Sequence, residues 1–202
     1  MKITESSQTS AADPGQVAAL RRFLEGAADR PCPGCVKVCH RCGSVGCLCT
    51  CGPDCPDAPR ALSSDPDKFP IETGIVPLVL AVRRAGLGEP CWSCEGHLNP
   101  QGTLWKRPSV WFYAAHQVYP DLIAQHLSVL TGDGRLRRRW RVALIATEHV
   151  TATTFAIEPD AGDESAQALE DLRRDARIIA DTLPTGARSL AHSRLAALRT
   201  SA

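Results

Sequence analysis

The feature that most constrains this chain is a cysteine-rich stretch, PCPGCVKVCHRCGSVGCLCTCGPDC, at residues 31–55. Glycines and prolines interrupt it, so it can form loops and tight turns but no long helix. It holds few apolar residues, and burial alone therefore cannot order it. Disulfide bonds, thiolate-bound metal ions and an iron–sulfur cluster are the three alternatives. The cysteines concerned are Cys32, Cys35, Cys39, Cys42, Cys47, Cys49, Cys51 and Cys55.

The spacing of these cysteines favours metal over disulfides. Cys32 and Cys35, like Cys39 and Cys42, form CxxC pairs that let two thiolates grip one tetrahedral ion. The N-terminal residues lack the apolar segment of a secretory signal, and no run is long enough to span a membrane. We therefore expect a cytoplasmic, reducing location, where clustered cysteines are more often metal ligands than disulfides.

Zinc is the metal that the pattern favours, with cuprous copper as a softer choice. The triplet Cys35, Cys39 and Cys42 has the spacing of radical SAM enzymes, but the chain lacks the length and alternation of their barrel. The spacing also differs from the CxxCxxC of ferredoxins. We expect two or three zinc ions. An iron–sulfur cluster, in a metal-handling or redox protein, is the alternative.

The spacing does not fix which cysteines share an ion. The four from Cys32 to Cys42 could hold one ion and the four from Cys47 to Cys55 another, or the two sets could interleave. His40 lies between two expected ligands and could replace a cysteine, although a surface position is more typical of such a histidine.

A third CxxC pair, Cys91 and Cys94, lies in the segment CWSCEGH. The pair could be two buried thiols, a redox pair or metal ligands that clamp the cysteine-rich stretch onto the rest of the chain. Glu95 and His97 form the one local acid/base combination, because a catalytic zinc needs a nearby carboxylate to accept a proton from its water. A metal-dependent hydrolase at Glu95 and His97, with His116 nearby, is therefore an alternative function.

Composition and periodicity divide the chain into three parts. Residues 1–14 are expected to be a disordered lead, 15–70 a helix, the cysteine-rich module and a connector, and 71–202 an α/β core. In the core, helical spacing alternates with β-branched and aromatic runs such as PSVWFYAA at 108–115. Pro184 is expected to end a helix that begins at Glu164. The sequence predicts a two-layer α/β sandwich with a mostly antiparallel sheet.

A run of arginines around Trp140 is the remaining charge feature, comprising Arg135, Arg137, Arg138, Arg139 and Arg141. It could bind phosphates while Trp140 stacks on a base. We favour a solvated loop that enters a strand, because the formal net charge is only +1 and thiolate–zinc sites would make it negative. A protein partner is therefore expected rather than nucleic acid or a membrane.

Residues 31 to about 115 also resemble a known group. The motifs CPGC and CGPDC, followed by PIETGIVPLVLAVRRAG and PCWSCEGHLNP, are similar to those of an uncharacterised bacterial cysteine-rich family. The resemblance implies metal binding and no established activity. The sequence therefore predicts a zinc-binding protein whose zinc-finger-like module is structural or recognises a partner, and it favours a non-enzymatic role.

Overall fold

A four-stranded antiparallel sheet packed on helices forms the centre of the computed structural model, which describes residues 13–26, 70–145 and 153–200. The four helices of this part of the chain are α1 (Pro14–Glu25), α2 (Val76–Arg84), α3 (Val118–Gly132) and α4 (Ala166–Thr200). The strands are β1 (Glu89–Cys94), β2 (His97–Leu98), β3 (Leu104–Lys106), β4 (Ser109–Tyr113), β5 (Trp140–Ile145) and β6 (Thr154–Pro159).

The main sheet has the strand order β1-β4-β6-β5, and every neighbouring pair is antiparallel. Strands β2 and β3 form a separate two-stranded hairpin between β1 and β4. The pairing of the edge strand β1 with β4 shifts in register between Pro90 and Trp92. After this shift, Cys94 at the end of β1 lies opposite Ser109. The end of β1 and the start of β2 are separated by only two residues, which places Cys94 and His97 next to each other.

The core lies between the sheet and the helices. Val110 and Phe112 of β4 and Ile157 of β6 are fully buried and belong to one cluster with the apolar faces of the helices. Alternate residues of a strand point to opposite faces, so Trp111 lies on the other side of the sheet, where its ring packs on that of Trp92 at 5.0 Å. Helix α4 packs against α1, α2 and α3 and so connects the helical layer.

Helix α2 has Pro77 in its first turn, where a missing backbone N–H removes no helical hydrogen bond. Helix α4 instead continues through Pro184, which the sequence predicts to be its end. Thr182 on the preceding turn donates its hydroxyl to the carbonyl of Ile178 and contacts the ring of the buried His126. Packing on α3 therefore holds the helix together across the proline.

The prediction of a mixed α/β fold with an antiparallel sheet is confirmed. The sequence does not predict the hairpin β2–β3, because strands of two and three residues are too short to show an alternating pattern. None of the helices in the described part of the chain has the length and hydrophobicity needed to cross a membrane. The cysteine-rich module, its connector and the N-terminal lead to residue 12 lie outside the described residues, and their expected structure stays a prediction.

Candidate metal centre

Three potential metal ligands meet beside the end of β1. The Sγ atom of Cys94, a ring nitrogen of His97 and a carboxylate oxygen of Glu72 all lie within 4.8 Å of one another. Cys94 is buried, while Glu72 and His97 are half-buried. They come from three places in the fold: Glu72 precedes α2, Cys94 ends β1 and His97 begins β2.

A tight turn at Gly96 brings two of these ligands together. Gly96 has a φ of +84°, which L-residues rarely adopt, and its N–H donates to Cys94 Sγ at 3.4 Å. A Cβ atom at this position would lie 2.6 Å from Leu169 Cδ1 and 2.8 Å from Pro108 Cδ. Two features therefore favour glycine at position 96. One is the positive φ of its backbone, and the other is the close approach of α4 and of the segment before β4.

Both oxygens of the Glu72 carboxylate have a partner that fixes its orientation. One, Oε1, lies 2.7 Å from His97 Nε2, and the other, Oε2, accepts a hydrogen bond of 2.7 Å from the backbone N–H of Glu95. The second bond fixes the rotation of the carboxylate and leaves Oε1 as the oxygen that faces His97. Glu72 would therefore bind a metal through one oxygen only.

The donor set suits a divalent ion of borderline softness. Sulfur, imidazole nitrogen and carboxylate oxygen are the three donor types that bind zinc in proteins. Zinc–ligand bonds of about 2.0–2.3 Å at tetrahedral angles put nitrogen and oxygen about 3.3 Å apart, so the His97–Glu72 contact would open by only about 0.6 Å. The described residues offer three potential ligands, and a tetrahedral ion takes four.

Burial raises the pKa of the Cys94 thiol, and the nearby carboxylates of Glu72 and Glu95 act in the same direction. The Gly96 N–H and the positive charge of Lys106 oppose this rise in the pKa, but they do not cancel it. A thiol with a raised pKa holds its proton at neutral pH. A divalent ion supplies the charge that displaces the proton, since only the thiolate is a metal ligand.

Glu95, predicted as a possible acid or base, does not join this group. Its Oε2 accepts a hydrogen bond of 2.7 Å from the Gly74 N–H, and its Oε1 lies 3.4 Å from the guanidinium of Arg173. His116 accepts from the N–H of Val118 at the start of α3 and does not join the group either. Neither residue is one of the three clustered side chains.

Cys91, the other half of the CxxC pair, lies three residues before Cys94 on the same strand and is exposed. Burial raises the pKa of its thiol, Tyr113 opposes this rise, and Cys91 is not one of the three clustered residues. An extended strand carries the two thiols apart, whereas a CxxC turn would bring them to one ion. The remaining predicted ligands, from Cys32 to Cys55 together with His40, lie outside the described residues, and their role stays a prediction.

Four of the five arginines in the run around Trp140 lie near carboxylates. Arg137 and Arg138 contact Asp171, and Arg138 also contacts Asp163. The backbone N–H groups of Arg137 and Arg138 both donate to the buried carboxylate of Asp175. The two later arginines of the run, Arg139 and Arg141, lie near Asp160 and Glu158. These contacts anchor the loop on α4, on β6 and on the segment between them, and the expectation that the run does not bind nucleic acid stays a prediction.

Glu72 is the candidate ligand that the sequence does not reveal. It precedes Cys94 by 22 residues, in the segment PIETG, where a single glutamate before an apolar helix has no metal-binding signature. Cys94 and His97, in contrast, are neighbours in one short motif. Comparison of the chain with protein-family models, with curated proteins and with solved structures gives no match.

Proposed function

We propose that this chain is a zinc-binding protein in which Glu72, Cys94 and His97 hold one ion and the cysteine-rich module holds the others. The observation that carries the proposal is the convergence of these three donors within 4.8 Å in the α/β core. The hydrogen bonds to Glu72 and Cys94 support it, because fixed ligands lose less conformational entropy when an ion binds.

The fourth ligand, in this proposal, is a thiolate from residues 31–55. The ion would then link the cysteine-rich module to the α/β core, and metal binding would contribute to folding of the module. A zinc ion with four protein ligands is structural, so the module would serve the fold or present a surface to a protein partner. Removal of the metal should release the module while the core remains folded.

Limited proteolysis with metal analysis tests this link. Cys94→Ser should lower the zinc content by one ion per chain and make residues 31–55 sensitive to protease. Cys91→Ser is the matched control, since it removes a thiol three residues away in the same strand, and it should leave both readings unchanged. The proposal is wrong if Cys94→Ser keeps the full zinc content and the wild-type cleavage pattern.

A metal-dependent hydrolase is the second candidate, and one observation favours it. The described residues offer three potential ligands, which is the number that catalytic zinc sites take from the protein while water occupies the fourth position. A hydrolase screen of wild type and His97→Ala, with zinc content and melting temperature measured alongside, separates the candidates. Turnover by wild type that is lost in His97→Ala together with one zinc ion, while the melting temperature stays near that of wild type, would favour the enzyme, and a wild type without turnover would favour the structural role.

A further inference from the structure

The two segments that carry the ligands are joined by a reciprocal pair of hydrogen bonds. Glu72 Oε2 accepts from the N–H of Glu95, and Glu95 Oε2 accepts from the N–H of Gly74, each at 2.7 Å. Each carboxylate therefore binds the backbone beside the other. A Cβ atom on Gly74 would lie 2.7 Å from Glu95 Oε2, so this pairing also needs glycine at position 74.

Arg173, a side chain of α4, also contacts the turn that carries Glu95 and Gly96. The guanidinium of Arg173 donates to the carbonyl of Gly96 at 3.0 Å, and it also reaches the carbonyl and the Oε1 atom of Glu95 at 3.4 Å. Arg173 is half-buried, which limits the competition from water for these bonds. The arginine thus contacts both residues of the turn between Cys94 and His97.

We propose that Arg173 is a positioning residue for the metal centre and acts through Glu95 on Glu72. This inference rests on the proposed function, since it concerns the same ion. Both oxygens of Glu95 are engaged, one by Arg173 and one by Gly74, which holds the Glu95 backbone N–H where it meets Glu72. Glu72 Oε1 is thereby kept toward His97 before any ion arrives.

The fixed charge of Arg173 has a second effect on the centre. Glu72, Glu95 and the Cys94 thiolate place three negative charges around one ion, and Glu95 is not a ligand in this geometry. The charge of Arg173 offsets that of Glu95 and repels a cation, so by itself it acts against the ion, and a loss of affinity in Arg173→Ala therefore reports the lost hydrogen bonds to Glu95 and Gly96. Outer partners of metal ligands typically change metal affinity 10–100-fold when they are removed.

The test compares zinc affinity in full-length variants by competition with a chromophoric chelator. The ion in question is the one that wild type holds and Cys94→Ser lacks. Arg173→Ala should weaken its binding by about 10–100-fold, and Arg173→Lys should recover part of the loss because one ammonium can replace some of the donors. Arg177→Ala is the matched control, because Arg177 lies one turn further along α4 and lines the surface cleft that also contains Glu95 and Arg173, but has no hydrogen bond to Glu95 or Gly96.

A second measurement separates positioning from a general loss of stability. The Co²⁺-substituted site should show altered absorption bands in Arg173→Ala and bands closer to wild type in Arg173→Lys, because the bands report ligand geometry. Glu95→Gln, which keeps the shape of the side chain and removes its charge, should also weaken binding, and it serves if Arg173→Ala does not fold.

The outcomes distinguish the two proposals. If wild type and Cys94→Ser hold the same number of ions, the proposed function fails, whatever Arg173 does. If wild type holds the additional ion but Arg173→Ala and Glu95→Gln bind it with wild-type affinity and wild-type Co²⁺ bands, only the positioning role is overturned.

Discussion

Replacement of Gly96 by alanine tests whether the ligand-bearing turn depends on close packing. Two costs are expected. An L-residue at a φ of +84° costs about 1–2 kcal/mol. The new methyl group would also lie 2.6 Å from Leu169 and 2.8 Å from Pro108, and overpacking of this kind costs about 1–3 kcal/mol. The free energy of unfolding should therefore fall by about 2–5 kcal/mol.

Gly102→Ala provides the control, because it has the cost of the positive φ but not the cost of overpacking. Gly102 lies in the turn of the β2–β3 hairpin with a φ of +79°, and a Cβ atom there would have no neighbour within 4 Å. This variant should lose only the conformational cost, about 1–2 kcal/mol. The difference between the two variants therefore isolates the approach of α4 and Pro108 to the turn.

Urea unfolding followed by tryptophan fluorescence measures both losses. The four tryptophans are at positions 92, 105, 111 and 140, so the signal reports the α/β core and not residues 31–55. A chelator removes the contribution of metal binding to the comparison. If Gly96→Ala lost no more stability than Gly102→Ala, the packing of the turn against Leu169 and Pro108 would not constrain the site.

Two further predictions concern groups away from the metal centre. Burial, and to a smaller extent the positive charge of Arg135, lower the pKa of His126 in the folded protein. The unfolded chain therefore binds more protons, so this contribution to stability is complete above a pH of about 6.5 and is lost as the pH falls. His126→Gln should flatten the acid side of the stability profile measured by urea unfolding in chelator, and an unchanged slope would contradict the assignment. Asp175→Ala should cost about 1.5–3 kcal/mol because the fully buried carboxylate accepts from the N–H groups of Arg137 and Arg138. The exposed Asp181→Ala on the same helix should cost less than about 0.5 kcal/mol by the same assay, and equal losses would refute the anchoring role.

Much of the fold is predictable because it depends on local patterns. The apolar spacing of α1 and α3 and the aromatic, β-branched run of β4 each indicate one type of element within a few residues. The strand order β1-β4-β6-β5 has no such local signal, because it depends on how strands that are separated in the chain by helices pair with one another. The continuation of α4 through Pro184 is likewise decided by packing on α3 rather than by propensity.

The same distinction explains how much of the candidate site is predictable. Cys94 and His97 are three residues apart in the chain, and the short motif that contains both is enough to indicate metal binding. Glu72 and Arg173 also contact the turn between Cys94 and His97, but each lies 22 or more positions from Cys94 in the chain. Each is an ordinary charged residue next to an apolar helical pattern, so only the tertiary fold reveals that both act on one turn.

The zinc count of Glu72→Gln tests the central claim most directly. Glu72 belongs to no cysteine motif, so only its position in the structure makes it a candidate ligand. Native mass spectrometry of the full-length chain should find one zinc ion fewer in Glu72→Gln than in wild type. Glu89→Gln, a glutamate at the start of β1 that pairs with Arg83, should retain the wild-type count. An unchanged zinc count in Glu72→Gln would contradict the metal centre formed by Glu72, Cys94 and His97.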